Sequence, residues 1–314
     1  MLDSNPPSTL LAKGAPPKKR LIVIDSNSII HRAYHALPRL TTKKGELVNA
    51  VYGFLLVFLK AIREFQPDFV AATFDLPAPT FRHEKFKEYK AKRVKAPDEL
   101  YQQIPKVKEI LKAFDVQIFE KEGFEADDVI GTIASQAPKK QVFPEIETII
   151  VSGDSDTLQL VDKNTQVYAL KKGVKDIILY DEAKVKEKYE GLKPSQLPDF
   201  KALKGDPSDN IPGVPGIGEK TAIQLIKQFG NLENLYSAID QWREALGLNK
   251  NLQAKLKDYK KQAFFSKILA QIRTDALADF NLEECRWGKY DKDKVTRLLK
   301  GLEFYSLINR LSEV

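Results

Sequence analysis

An α/β fold with a largely parallel sheet, followed by a helical region, is the class this sequence predicts. Three observations predict it. Three short apolar runs each end in an acid: RLIVID (residues 20–25), DFVAATFD (68–75) and TIIVSGDSD (148–156). Helical patterns separate them, over 48–65, about 99–114 and 125–136. After about residue 190 the texture is helical throughout. Buried strands that alternate with helices imply crossover connections and parallel neighbours, with helices on both faces of the sheet.

Taken in order, the first eighteen residues are rich in Pro, Ser and Lys and read as a flexible tail, with no secretory signal. RLIVID, bounded by polar residues and rich in Ile and Val, reads as the first buried strand. AVYGFLLVFL (50–59) is the longest apolar run. It is too short to span a bilayer and meets Lys60, so it reads as a core helix. DFVAATFD is the second strand. TFRHEKFKEYKAKRVK (80–95) reads as a helix on which Arg82, Phe86, Tyr89, Lys90 and Arg93 share a face. EGFEADDVIG (122–131) opens a helix whose buried face is Val129, Ile130 and Ile133. TIIVSGDSD is the third strand, and QVYALKK and KDIILYD (166–172 and 175–181) are two more, joined around Gly173. KPSQLPDFKALKG, GEKTAIQLIKQFG, NLENLYSAI and LQAKLKDYKKQAFFSKILAQI are helical, and a boundary is expected near 188–195.

The chemistry begins with Glu125, Asp127 and Asp128 in one turn. Acids there complement the positive end of a helix dipole, which accounts for one or two of them. Three are less comfortable, since carboxylates about 4 Å apart repel by roughly 4 kcal/mol at an effective dielectric near 20. Asp25, Asp75 and Asp154 stand at strand carboxyl ends, where open α/β sheets bind ligands. With Asp156 and the 125–128 cluster they point to one shared rim, which needs cations. Oxygen donors without His or Cys suit Mg²⁺ or Mn²⁺.

GDPSDNIPGVPGIGEKTA (205–222) places Gly213, Gly216 and Gly218 in a Pro-containing loop ahead of a helix from about Glu219. The free N–H groups of that helix end suit a phosphate, and Lys220 adds charge. Glu219 between Gly218 and Lys220 excludes a Walker A loop. The pattern fits a helix-hairpin-helix, which grips a nucleic-acid backbone without reading bases. Asp206 and Asp209 directly precede it. The 80–95 stretch holds seven Lys or Arg against Glu84 and Glu88. A basic face carrying aromatics can hold single-stranded nucleic acid. Acids for metals, metals for a phosphodiester and cations to bring it in point to phosphodiester hydrolysis.

Bulk composition bounds the alternatives. The chain has 314 residues, 43% hydrophobic, enough for two domains and a sizeable core. One cysteine, Cys285, excludes an intrachain disulfide and a Cys-rich zinc site, and fits a reducing, cytoplasmic setting. Three histidines, His31, His35 and His83, are too scattered for a His-rich zinc site. A net charge of +7 suits a polyanion partner.

HRAYHAL, AVYGF, FDLPAPTFRHEKFKEYKAKR, EADDVIGT, SGDSD and GDPSDNIPGVPGIGEKTA together carry a resemblance from about Arg20 to the C-terminus. The chain resembles the 5′-nuclease (5′-3′ exonuclease) domain of bacterial DNA polymerase I, within the flap endonuclease superfamily. That resemblance implies a PIN/resolvase-like nuclease core (19–190) with a helical arch at about 78–105. It implies a SAM-like DNA-binding region (191–314) whose helix-hairpin-helix spans about 196–230. It implies two Mg²⁺ or Mn²⁺ ions per site, the first served by Asp25, Asp75, Glu125 and Asp127. The second is served by Asp154, Asp156 and Asp206, with Asp127 between them. Asp128 and Asp209 match acidic positions acting through water. Lys90 and Arg93 match catalytic basic residues on the arch, and Tyr89 an aromatic that stacks on a base. Arg32, Arg82, Gly213, Gly216, Gly218, Lys220 and Thr221 would contact DNA.

The implied activity is structure-specific 5′-3′ exonuclease and 5′-flap endonuclease action in primer and flap removal during replication and repair. It leaves a 5′-phosphate and a 3′-hydroxyl. The implied partners are branched or 5′-flap DNA, RNA-primed included, and a polymerase domain of the same chain. The implied state is a monomer without membrane attachment, at the bacterial nucleoid. The alternatives are a free-standing nuclease for RNA or RNA/DNA hybrids, and an inactive branched-DNA-binding module. Ser155 departs from the pattern, because the family usually carries Lys or Arg there. The tail is longer than usual. LEFYSLINRL resembles the place where such domains finish, so an excised domain is expected over a free-standing enzyme.

Overall fold

The computed structural model describes residues 18–138, 145–241, 248–277 and 280–313. The expected tail lies outside them except for Lys18. Six strands form one sheet: β1 (Lys19–Asp25), β2 (Phe69–Thr73), β3 (Gln117–Phe119), β4 (Ile146–Ser152), β5 (Thr165–Lys172) and β6 (Asp176–Tyr180). Their order is β3-β2-β1-β4-β5-β6. All neighbours are parallel except β5 and β6, an antiparallel pair turning through Gly173. The chain builds outward from β1 to β3, then returns to lay β4 on the other side of β1. The switch point therefore falls between β1 and β4, where a crevice opens beyond the strand ends.

The N-terminal helices are α1 (Ser26–Ala36), α2 (Asn49–Phe65), α3 (Phe81–Lys85), α4 (Asp98–Tyr101), α5 (Ile104–Ala113), α6 (Ala126–Gln136) and α7 (Glu182–Lys188). Then follow α8 (Leu197–Lys204), α9 (Glu219–Phe229), α10 (Leu232–Asp240), α11 (Lys250–Asp258), α12 (Lys260–Ala270), α13 (Lys292–Gly301) and α14 (Tyr305–Ile308). Successive strand residues point to opposite faces, so the sheet feeds two cores. Leu21, Val23, Phe69, Ala71 and Ile150 pack with α6 and helices α8 to α10. Ile22, Ile24, Val70, Ala72 and Val151 pack with α1, α2, α5, α13 and α14. The mixed α/β class with helices on both faces, a mostly parallel sheet and a helical C-terminal region is as the sequence predicts.

Three local expectations differ. The 99–114 helix is two pieces, because Pro105 has no N–H to continue the ladder and a new helix starts at Ile104. The freed Gln103 turns inward, where its Oε1 accepts the N–H groups of Ala50 (2.8 Å) and Val51 (3.3 Å) at the uncapped start of α2. The strand β3 is three residues long and carries no sequence signal. The 80–95 stretch is helical only over Phe81–Lys85 and continues as turns. Lys90 takes φ of +56°, which no right-handed helix contains.

Candidate functional site

At the switch point the strand ends deliver their acids to two adjoining cavities. Asp25, the last residue of β1, caps α1 by accepting the Ser28 N–H at 3.2 Å. Asp75 lies two residues past β2 and accepts the Ala126 N–H at 2.8 Å, tying that loop to the start of α6. Asp154 lies two residues past β4, and Ser152 locks it to Asp25. The Ser152 hydroxyl donates to Asp25 Oδ2 at 2.5 Å and accepts the Asp154 N–H at 2.9 Å. Asp25, Asp75, Glu125, Asp127 and Asp154 line a cavity of about 290 Å³ with His31, Lys90 and Arg93. Asp154, Asp156, Asp206 and Asp209 line a second of about 270 Å³ with Arg93 and Lys201. Asp154 and Arg93 belong to both.

Burial and mutual repulsion set the electrostatics. Burial, with Asp154 and Asp75 adding, pushes Asp25 up to about 6 against the hydrogen bonds from Ser152 and Ser28. Burial, then Asp25 and Asp154, raises Asp127 well above the usual carboxylate range. Burial and Asp154 push Asp156 up to about 6, against Lys201. Glu125 goes the other way, because Lys90 and Arg82 together outweigh the effect of its burial.

The chain also brings cations of its own to the rim. Lys90 Nζ is 2.6 Å from Glu125 Oε1, Arg93 pairs with Asp209, and Lys201 bridges Asp156 and Asp206. Among the described residues no three acids form a ready-made metal cage. The donor chemistry nevertheless fits hard divalent ions. The donors are all carboxylate oxygens, and Asp25, Asp75, Asp127 and Asp156 are held above their usual range by burial first and by neighbouring acids second, both of which a bound dication would offset.

Several expected site residues have other work. Asp128 is fully buried and does not line either cavity. Arg82 donates to both its oxygens at 2.7 and 2.8 Å, and the Glu125 and Arg273 N–H groups take the remaining capacity. It is therefore the buried counter-charge of Arg82. Arg82, 2% exposed, also donates to the carbonyls of Leu269 and Gln271, so it joins α3 to the end of α12. Tyr89 is 3% exposed and its hydroxyl lies 3.1 Å from Glu125 and 3.2 Å from Asp209. The hydroxyl thereby ties the segment to both acids. Arg32 donates to the carbonyls of Gly153 (2.6 Å) and Lys171 (3.0 Å) and so holds the Asp154 loop. Gly213 is buried at φ of +63°, and a Cβ there would lie 2.3 Å from the Gly205 nitrogen. It closes the hairpin against Gly205.

Gly216, Gly218, Lys220 and Thr221 stay at the surface around the start of α9. Gly216 and Thr221 line a groove of about 400 Å³ with Asn249, Lys250 and Lys255. Sequence reading missed Ser152, His31 and Lys201. A serine ending a strand and a lysine inside an amphipathic helix carry no distinguishing pattern. Lys201 stands five residues before Asp206, and that proximity was the available signal.

The family profile described as 5′-3′ exonuclease, N-terminal resolvase-like domain, matches residues 20–190. The companion profile, 5′-3′ exonuclease, C-terminal SAM fold, matches residues 192–293. DNA polymerase I of Bacillus subtilis is 44% identical over 296 residues, covering 94% of this chain and 32% of its own length. The chain thus spans about a third of the curated relatives it matches. A structure of the bacteriophage T5 5′-exonuclease with bound zinc aligns over 90% of this chain and 99% of its own, with TM-score 0.67 and 20% identity. A T5 flap endonuclease in complex with DNA and metal ions aligns over 91% and 100%, with TM-score 0.67 and 19% identity. These two show the shared fold.

Proposed function

This chain belongs to the 5′-3′ exonuclease family, and from that premise we propose that it is a divalent-metal-dependent 5′-nuclease. It hydrolyses DNA phosphodiesters at single-strand to duplex junctions, as exonuclease and as 5′-flap endonuclease, leaving a 5′-phosphate and a 3′-hydroxyl. The observation that carries this reading is the meeting of Asp25, Asp75, Glu125, Asp127 and Asp154 around one cavity beneath Lys90 and Arg93. Asp25, Asp75, Glu125 and Asp127 hold the first ion, and Asp154, Asp156 and Asp206 the second, Mg²⁺ or Mn²⁺. When bound there, such ions supply an activated water and stabilise the charge of the leaving oxygen.

The chain's own residues orient the substrate. Lys90 and Arg93 exchange Glu125 and Asp209 for the scissile phosphate, placing two cations where charge develops. Asp209 is the counter-ion that parks Arg93 until then. Ser152 keeps the two acid groups in register. Gly216, Gly218, Lys220 and Thr221 at the start of α9 follow the duplex backbone, so residues 191–314 serve DNA binding and lend Asp206 to the acids of residues 19–190. RNA-primed flaps are substrates, and a polymerase domain of the same chain is the partner. The enzyme acts as a monomer in the cytoplasm.

The test is to incubate the chain and Asp154→Asn with a 5′-flap DNA, a single-stranded RNA and Mg²⁺. Cutting at the flap base, abolished in Asp154→Asn with DNA binding retained, is expected. RNA cutting alone, or binding without cutting by the unmodified chain, overturns the proposal.

A further inference from the structure

The ammonium of Lys201 occupies the second acid group. It contacts Asp156 Oδ1 and stands 2.7 Å from Asp206 Oδ2. The three side chains are only 16–17% exposed, so this bridge is not a surface pair that water and salt cancel. Asp206 Oδ1 is engaged by the Ser208 N–H (2.9 Å) and hydroxyl (2.6 Å). Lys201 therefore holds one oxygen of Asp156 and the Asp206 oxygen that Ser208 leaves open. Its neighbours Phe200, Ala202 and Leu203 are buried, which fixes the backbone of α8. Only the flexible stem of Lys201 can move.

We propose that Lys201 is the built-in counter-ion of the second acid group, and that a divalent cation binds there by exchange with its ammonium. The proposal rests on the divalent-ion reading above. Two cations cannot share the same carboxylate oxygens at bonding distance without repelling one another, so binding must eject the lysine. The second ion is then weaker than its acid count suggests, because each binding event also breaks the Lys201 bridge. The same device offsets part of the group's negative charge when no ion is bound. In the first group Lys90 pairs with Glu125, and among the described residues Asp25, Asp75 and Asp127 make no ion pair, so exchange bears less on the first ion.

The test uses the whole chain without DNA, titrated with Mn²⁺ and read by electron paramagnetic resonance. Lys201→Met keeps the stem and removes the charge, while Lys201→Arg keeps the charge. The weaker Mn²⁺ site is expected to tighten at least tenfold in Lys201→Met and to stay within threefold of the unmodified chain in Lys201→Arg. An unchanged or weakened site in Lys201→Met overturns the exchange while leaving the divalent-ion reading intact. Absence of Mn²⁺ binding in all three proteins overturns both. A second measurement needs no variant: acylation of Lys201 in the unmodified chain, followed by mass spectrometry. Mg²⁺ is expected to speed its labelling several-fold, and equal or slower labelling overturns the proposal.

Discussion

Arg82 and Asp128 form a buried pair beneath the cavity, with side chains 3% and 0% exposed. Both were legible as charged residues beside the site, but burial decided their role. Taking Arg82 away leaves Asp128 charged and unpaired in the interior. Arg82→Met is expected to cost about 3–5 kcal/mol of stability, read by urea unfolding. Asp25 makes the opposite statement. Its folded value of about 6 exceeds its ordinary 3.8, so the folded chain binds the proton more tightly than the unfolded one. Stability from this residue is then lost as pH rises from about 4 through 6. Asp25→Asn cannot ionise and escapes the loss. In metal-free buffer its stability relative to the unmodified chain should rise between pH 4 and pH 7, by at most roughly 3 kcal/mol. Saturating Mg²⁺ should reverse that advantage, because the dication relieves the same repulsion and Asn is a poorer ligand. Thermal melts across pH, with and without Mg²⁺, check both.

Two elements show what periodicity can and cannot supply. The 80–93 segment has helical spacing, yet its bonds beyond Lys85 include distant partners. The Lys90 N–H donates to the Asp209 carbonyl at 3.0 Å, and the Asn210 side chain to the Glu88 carbonyl at 2.8 Å. With Tyr89 and Arg93 these lay the segment over the acids and unwind it. No window of local sequence contains Asp209 and Asn210 together with Lys90. The 205–218 hairpin was legible, because its Gly and Pro spacing is a local property. Gly213 is its tightest point, packed against Gly205 at a positive φ. Gly213→Ala meets both a clash and backbone strain of about 1–3 kcal/mol. It is expected to lower the melting temperature and weaken duplex binding together, and a variant that loses neither shows that the hairpin tolerates opening there.

Across the whole molecule the chain crosses the sheet twice. Helices α8 to α12 serve one face, then α13 and α14 return to the other beside α2 and α5. Trp287 makes the crossing, with ring contacts to Phe58 (5.8 Å), Phe114 (5.9 Å) and Tyr290 (5.4 Å). Its backbone N–H donates to the Asp68 carbonyl just before β2. Trp287→Ala is expected to destabilise the whole chain in a single transition by about 3 kcal/mol, because the last helices are seated on the N-terminal core. A separate early transition in calorimetry would show instead that they melt independently.

By itself the sequence determined every strand but β3, their acidic ends and the Gly-Pro hairpin, because apolar runs and turn residues act over a few neighbours, and its motifs carried the family resemblance. Only the tertiary structure decided which charges face the cavity and which lie beneath it. It also decided that Lys90, Arg93 and Lys201 already sit on the acids. Those pairings join residues up to 116 positions apart, and their strength depends on burial, which no local pattern encodes.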